Sequence, residues 1–167
     1  MGYTRHDTLL KCKSALDDAK TFYQENIVNY RGRTEDTNEL YTEVVAEYIC
    51  ENIFEFTNEI PEIIRSNYKI NSHDGKYDET SNRLEEKIAM SMFEKSKNGK
   101  VFPSIGKIID YQTPLKAKRK DVAGKIDLLS YNSTTNIVFV LELKEPDSME
   151  TMLRCVLEGY TYNENNQ

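Results

Sequence analysis

One apolar segment near the C-terminal end of the chain constrains the fold most strongly. Residues 137–141 read IVFVL, and Glu142, Leu143 and Lys144 follow directly. An unbroken apolar run is typical of a strand that is covered on both faces, so we predict that this strand lies at the centre of a sheet. Because side chains alternate along a strand, Glu142 and Lys144 should share one face, about 7 Å apart. Buried charges are costly unless they are paired or bound to a metal, so these two residues indicate a site.

A preceding strand brings a second carboxylate to the same place. Residues 124–131 (GKIDLLSY) also form a strand pattern, and the polar residues between the two strands indicate a hairpin. A symmetric hairpin centred between Thr134 and Thr135 places Asp127 directly opposite Glu142, with Cβ atoms about 5 Å apart. Like charges in this position are destabilising. A hard divalent cation such as Mg²⁺, which prefers oxygen ligands, would reverse that repulsion.

The hydrophobic periodicity places these strands between helices. In chain order, it predicts helices over 8–30, 35–57 and 82–98, strands over 104–114, 124–131 and 136–144, and a helix that opens at Asp147-Ser148. The predicted buried face of the last helix comprises Met149, Met152, Leu153, Val156, Leu157 and Tyr160. The domain organisation that follows is an N-terminal helical region over 1–65, a polar linker over 66–80 and a core over 81–167.

The motif GKIDLL followed by VFVLELK resembles the strand pair of the PD-(D/E)XK nucleases, in which an Asp on one strand and an E-x-K on the next form the active site. The order of helix, three strands and helix is similar as well, and the resemblance covers roughly residues 80 to 162. It implies an α/β, restriction-endonuclease-like core. Two features depart from the family pattern: Ile126 precedes the Asp where a Pro is expected, and the sequence ends at Gln167 without a fourth strand, so that the strand is absent or the chain is a fragment.

The resemblance implies specific roles for the site residues. Asp127 and Glu142 would bind Mg²⁺ or Mn²⁺ together with the backbone carbonyl of Leu143. Lys144 would orient or activate the attacking water, or stabilise charge that develops on phosphorus. DNA is the implied substrate, with RNA as the alternative. From the residues alone, an Asp/Glu/Lys ion-pair cluster at a strand end remains the competing interpretation.

Four further polar residues have two interpretations each. On a helical wheel Glu85 falls within the apolar arc, which makes it a candidate fourth site residue, but Asn82 to Glu85 also fits a capping box. Gln112 either lines the cleft or is an edge-strand amide that faces water. Arg154 and Glu158 are spaced for an ion pair along one helix, and the helix that follows the strands can also contribute a polar residue to the site in this family.

Composition limits the classes of function. The chain has 38% hydrophobic and 30% charged residues, which is a globular composition, and its net charge of -6 argues against nonspecific coating of nucleic acid. The densest positive stretch is either a solvated loop or a nucleic-acid contact, and it consists of Lys116, Lys118, Arg119, Lys120 and Lys125. No segment approaches the roughly 20 apolar residues that span a bilayer, so we expect a cytoplasmic protein without membrane contact. We interpret Cys12, Cys50 and Cys155 as reduced packing residues.

Three functional hypotheses follow. The first is a metal-dependent nuclease that hydrolyses phosphodiester bonds in DNA. The second is a catalytically inactive module of the same fold that binds nucleic acid or protein, which the acidic charge favours. The third is a helical interaction protein in which residues 8–57 capture a partner or form a homodimer.

Overall fold

The structure is a computed structural model that describes residues 2–60, 79–80, 82–115 and 124–164. It is a mixed α/β structure whose contacts divide the chain into two compact units, Met1–Glu62 with Met149–Gln167 and Ile63–Ser148. The sequence predicts that the last helix belongs with the strands, whereas its contacts group it with the N-terminal helices. Most of the predicted linker, with His73, and the positive stretch from Lys116 to Lys120 lie outside the described residues.

The first unit consists of α-helices and two short 3₁₀ helices. Its α-helices are α1 (Arg5–Leu16), α2 (Tyr41–Glu51), α3 (Ile53–Glu59) and α5 (Met152–Glu164), and its 3₁₀ helices are Ala19–Gln24 and Asn26–Asn29. Helix α1 begins with a capping box, in which the side chain of Thr4 accepts from the backbone of Asp7 and the side chain of Asp7 accepts from the backbone of Thr4. The cap satisfies backbone groups that have no partner within the helix.

Both long N-terminal helices of the prediction are interrupted. After Leu16, Asp17 and Asp18 place acidic groups at a helix C-terminus, where the helix dipole disfavours them, and the chain continues as 3₁₀ helices. The second predicted helix breaks at Asn52, whose side-chain amide donates to the Tyr48 carbonyl at 2.7 Å and competes with the helical backbone pattern. The helical type was therefore predicted correctly in most of this region, but its continuity was not.

The exposed faces of the first unit differ in part from the prediction. In α5, Leu157 and Tyr162 are buried, whereas Met152 and Val156 are 77% and 58% exposed; Met149, which precedes the helix, is 72% exposed. The predicted buried face of this helix is thus wrong for those three residues, because an apolar stripe shows which side chains share a face but not whether anything covers them. Similarly, all three cysteines are free, but of these Cys12 is buried and Cys50 is exposed, so Cys50 is not a packing residue.

The second unit contains one helix and a three-stranded antiparallel sheet. Helix α4 (Leu84–Lys97) precedes β1 (Lys107–Pro114), β2 (Lys125–Asn132) and β3 (Ile137–Leu141), and the strand order is β1-β2-β3. The pairing of Leu128 with Leu141 confirms the predicted register of the β2–β3 hairpin. In the turn, the Asn132 side chain accepts from the backbone N–H of Thr134 at 3.0 Å, which stabilises the reversal of the chain.

The predicted central position of the IVFVL strand is wrong. Within the described part of the chain β3 is an edge strand and β2 is central, and Ile137 and Val138 are 47% and 56% exposed. An apolar run is compatible with a strand that is covered on both faces but does not require one. The charged residues that follow β3 therefore lie at the end of an edge strand.

Helix α4 covers one face of the sheet. Its buried side chains pack with residues of β1 and β2 in a single cluster of Ala89, Met90, Phe93, Ile108, Tyr111 and Leu128. Since side chains alternate, the neighbours of Leu128 in β2, among them Asp127, point to the other face of the sheet. The cluster between α4 and the sheet therefore fixes the position of β2, which carries Asp127 on its other face.

Two glycines provide a matched test of the sheet's packing. Gly106 and Gly99 both have positive φ, 82° and 92°, but an added Cβ at Gly106 would overlap the Tyr131 carbonyl oxygen, whereas at Gly99 it would meet nothing within 4 Å. A non-glycine residue in the left-handed region costs about 1–2 kcal/mol. Gly99→Ala should lower the free energy of unfolding by roughly this amount, and Gly106→Ala by clearly more, as measured by urea unfolding. Equal losses would contradict the close approach.

Candidate functional site

Three polar residues form a row across the sheet near one end. In the β1–β2 ladder Tyr111 pairs with Leu128 and Thr113 with Ile126, so Gln112 lies opposite Asp127. In the β2–β3 ladder Leu128 pairs with Leu141, so the next position places Asp127 opposite Glu142. Strand β3 ends at Leu141, and Glu142 is the first residue after it. An amide and two carboxylates are thereby brought together on one face.

Two N–H groups hold the carboxylate of Asp127, which is only 8% exposed. The Gln112 Nε2 donates to Oδ1 at 2.8 Å, and the backbone N–H of Leu143 donates to Oδ2 at 2.9 Å. Each oxygen thus receives a donor from a different strand or segment. Of the two interpretations of Gln112, the structure favours the one in which its side chain faces the site and not water.

Glu142 and Lys144 form an ion pair. The Lys144 Nζ lies 2.9 Å from Glu142 Oε1, and the two side chains are 20% and 9% exposed. Because the pair is largely screened from solvent, the Coulomb attraction between its charges is stronger than in a surface pair, and the cost of removing both groups from water opposes it. The Lys144 ammonium group places a positive charge beside the Glu142 carboxylate. A metal ion bound to Glu142 would place a positive charge there as well.

Glu85 reaches the same region from the first turn of α4. The N-cap residue of the helix is Arg83, whose side chain makes no capping hydrogen bond. The capping box predicted for Asn82 and Glu85 is therefore not formed. Instead, Glu85 Oε1 accepts from the backbone N–H of Glu145 at 3.3 Å. Burial raises the pKa of Glu85 above its ordinary value, the positive charge of Lys144 opposes this, and the negative charge of Asp127 adds to the increase. The structure thus places Glu85 within electrostatic range of both.

The raised pKa of Glu85 makes a pH-dependent contribution to stability. Below the ordinary pKa of 4.5 the carboxyl group is neutral in the folded and unfolded states, and as pH rises through the folded pKa the folded state must hold a partly buried charge. Stability is therefore lost with rising pH. We expect the melting temperature of Glu85→Gln, which cannot ionise, to rise relative to that of the unaltered chain as pH increases from about 4 to 7. A difference in melting temperature between the two proteins that stays constant across this pH range would contradict the raised pKa of Glu85.

Other predicted polar residues are arranged differently. Arg154 lies in the first unit, where its Nε lies 3.1 Å from Glu150 Oε1, one helical turn before it. Glu158 accepts from the Tyr162 hydroxyl at 2.9 Å, and its ion pair with Arg154 stays a prediction. One buried acid, Asp110, was missed by the sequence analysis: it is 1% exposed and accepts from Thr113 Oγ1 at 2.6 Å. A charge within the apolar strand KIIDYQTP was the available signal.

The donor set fits Mg²⁺ through two carboxylates. The described residues contain no group of three or more His, Cys, Asp or Glu side chains that could hold a metal ion. Mg²⁺, however, usually keeps several waters and is bound by one or two carboxylates together with substrate phosphates. Asp127 in β2 and Glu142, one position beyond the last pair of the β2–β3 ladder, supply such a pair. Glu85 is engaged with the Glu145 backbone and is not needed for it.

Comparison with known proteins found no matching family model, curated protein or solved structure. None of the helices in the described ranges is long and apolar enough to cross a membrane.

Proposed function

We propose that the chain is a metal-dependent nuclease that hydrolyses phosphodiester bonds in DNA and resembles the PD-(D/E)XK enzymes. The observation that carries the proposal is the hairpin register, which sets Asp127 opposite Glu142 with Lys144 Nζ 2.9 Å from Glu142 Oε1. Two acids and a lysine in this order at a strand end are the residues on which the family resemblance rests. The α4 helix before the strands and the antiparallel β1-β2-β3 order agree with it.

Each residue has a role that follows from its contacts. Asp127 and Glu142 would hold Mg²⁺ or Mn²⁺ together with the Leu143 carbonyl, and the Leu143 N–H orients the Asp127 carboxylate. When bound, the metal supplies Lewis-acid polarisation of the scissile phosphate and lowers the pKa of water in its shell. Lys144, whose Nζ lies 2.9 Å from Glu142 Oε1, would orient the attacking water or stabilise negative charge on the phosphate oxygens.

The substrate is tested by direct cleavage assays. The purified full chain is incubated with supercoiled plasmid, linear duplex, single-stranded DNA and RNA in Mg²⁺ or Mn²⁺, with EDTA as the control. We expect cleavage of at least one DNA form that requires the metal. Cleavage of RNA alone would show that the substrate is RNA and not DNA, with the same proposed site residues. Cleavage that persists in EDTA would contradict a metal-dependent reaction.

A second candidate is an inactive nuclease-fold module that binds nucleic acid or protein. It is favoured by the Lys144–Glu142 ion pair, which already neutralises one of the two carboxylates, and by the net charge of -6. Gel shifts without metal test the nucleic-acid version, because phosphate contacts make affinity fall steeply with salt. A salt-dependent shift without any metal-dependent cleavage would favour this candidate over the nuclease.

A further inference from the structure

The backbone of Gln112 is in an unusual conformation. Its φ is 49°, in the left-handed region, although it lies within β1 between two residues that pair regularly with β2. Glycine adopts this region readily and other residues do so at a cost. Asn136 also has a positive φ, 57°, but it lies in the β2–β3 turn, where Asn is common. Strain of this kind persists where the surrounding structure enforces it and is often found at functional sites.

The side chain of Gln112 does what a glycine could not. Its Nε2 donates to Asp127 Oδ1 at 2.8 Å, while the Leu143 N–H donates to Oδ2 at 2.9 Å. The two donors together fix the plane of the carboxylate. Because the amide is neutral, it orients Asp127 without cancelling the negative charge that would attract a divalent cation. A lysine or arginine in its place would form an ion pair and oppose metal binding.

We propose that Gln112 is a positioning residue, which holds the Asp127 carboxylate in the orientation needed to bind the metal together with Glu142. The inference rests on the proposed function, since it assigns Gln112 a task at that metal site. The left-handed backbone of Gln112 and the hydrogen bond from its amide to Asp127 occur together in β1. Groups that orient metal ligands typically change metal affinity by about 10–100-fold when they are removed.

The first test is a calorimetric titration of the full chain with Mn²⁺. Gln112→Gly removes the amide while fitting the left-handed backbone, and we expect it to weaken Mn²⁺ binding by about 10–100-fold. Asn136→Gly is the matched control, because it removes a side chain from a left-handed position in the β2–β3 turn, away from Asp127, and it should bind Mn²⁺ with unaltered affinity. Equal affinities of Gln112→Gly and the unaltered chain would overturn the proposal.

The second test needs no metal and measures the hydrogen bond itself. The change in melting temperature caused by Gln112→Gly is compared in the unaltered chain and in Asp127→Ala. In Asp127→Ala there is no hydrogen bond to lose. The change in melting temperature caused by Gln112→Gly should therefore be about 2–4 °C more positive in Asp127→Ala than in the unaltered chain. Identical changes in the two backgrounds would overturn the proposed contact.

The two tests separate this inference from the proposed function. Failure of the unaltered chain to bind Mn²⁺ would overturn the metal site and with it the role of Gln112 in metal binding, while the second test would still show whether Gln112 holds Asp127. Mn²⁺ binding that is insensitive to Gln112→Gly would overturn the positioning role and leave the nuclease proposal intact.

Discussion

Replacing Glu142 with glutamine is expected to lower metal-dependent DNA cleavage by more than about 100-fold, since loss of a ligand should exceed the loss of an orienting group. Glutamine preserves the size of the side chain but removes the negative charge, and it leaves Lys144 without its ion-pair partner at 2.9 Å. Cleavage rates of supercoiled plasmid and Mn²⁺ affinities measured on the same preparations test this expectation. Both should fall together, because the carboxylate would act through the metal.

The matched control for this variant is Glu94→Gln. Glu94 is an exposed acid of α4, so its replacement removes the same charge from the same unit but outside the site. The control should cleave DNA and bind Mn²⁺ as the unaltered chain does, and its melting temperature shows the effect of charge removal alone. A Glu142→Gln protein that folds and cleaves at the rate of the control would exclude Glu142 from the reaction.

The second large effect concerns the sheet beneath the site. Leu128 is fully buried in the cluster between α4 and the strands, and it directly follows Asp127. Leu128→Ala should lower the free energy of unfolding by about 2–5 kcal/mol, because it removes buried methyl groups and leaves a cavity. Since the chain has two units, the amide hydrogen exchange of β2 is the appropriate local measurement.

Leu84→Ala is the corresponding control in the same unit. Leu84 is 44% exposed at the start of α4, so its truncation should change stability by no more than about 0.5 kcal/mol. If the two substitutions accelerated exchange in β2 equally, Leu128 would not be the centre of this core.

The register of the β2–β3 hairpin could be predicted because it depends on local information. A short polar turn between two apolar strands has few symmetric solutions, and a displacement of one residue would turn every side chain to the other face. The observed pairing of Leu128 with Leu141 follows the predicted solution, and the opposition of Asp127 and Glu142 follows from it. The elements that carry the candidate site were therefore largely accessible from sequence.

Contacts between residues that are far apart in the sequence could not be predicted from it. The hydrogen bond from the Glu145 backbone to Glu85 joins residues 60 positions apart, and nothing near Glu85 distinguishes it from a helix cap. The edge position of β3 depends on which chain segments cover it, and the apolar sequence of Ile137 and Val138 does not contain that information. The contact of α5 with the N-terminal helices is long-range in the same sense.

Interruptions of the helices depended on competition between local interactions. Asn52 is compatible with a helix, and the hydrophobic pattern continues across it, but its side chain bonds to the Tyr48 carbonyl and the backbone leaves the helical region. Small energy differences decide between these alternatives. The positive φ of Gln112 is similarly set by the tertiary structure, since glutamine has no intrinsic preference for it.

Plasmid cleavage by three purified proteins tests whether Glu142 and Lys144 belong to a metal-dependent nuclease site. The unaltered chain, Glu142→Ala and Lys144→Ala are compared on supercoiled DNA in Mg²⁺, in Mn²⁺ and in EDTA, with folding verified by thermal unfolding. We expect cleavage by the unaltered chain that needs the metal and is lost in both variants. No cleavage by the unaltered chain in either metal, or equal cleavage by folded variants, would contradict it.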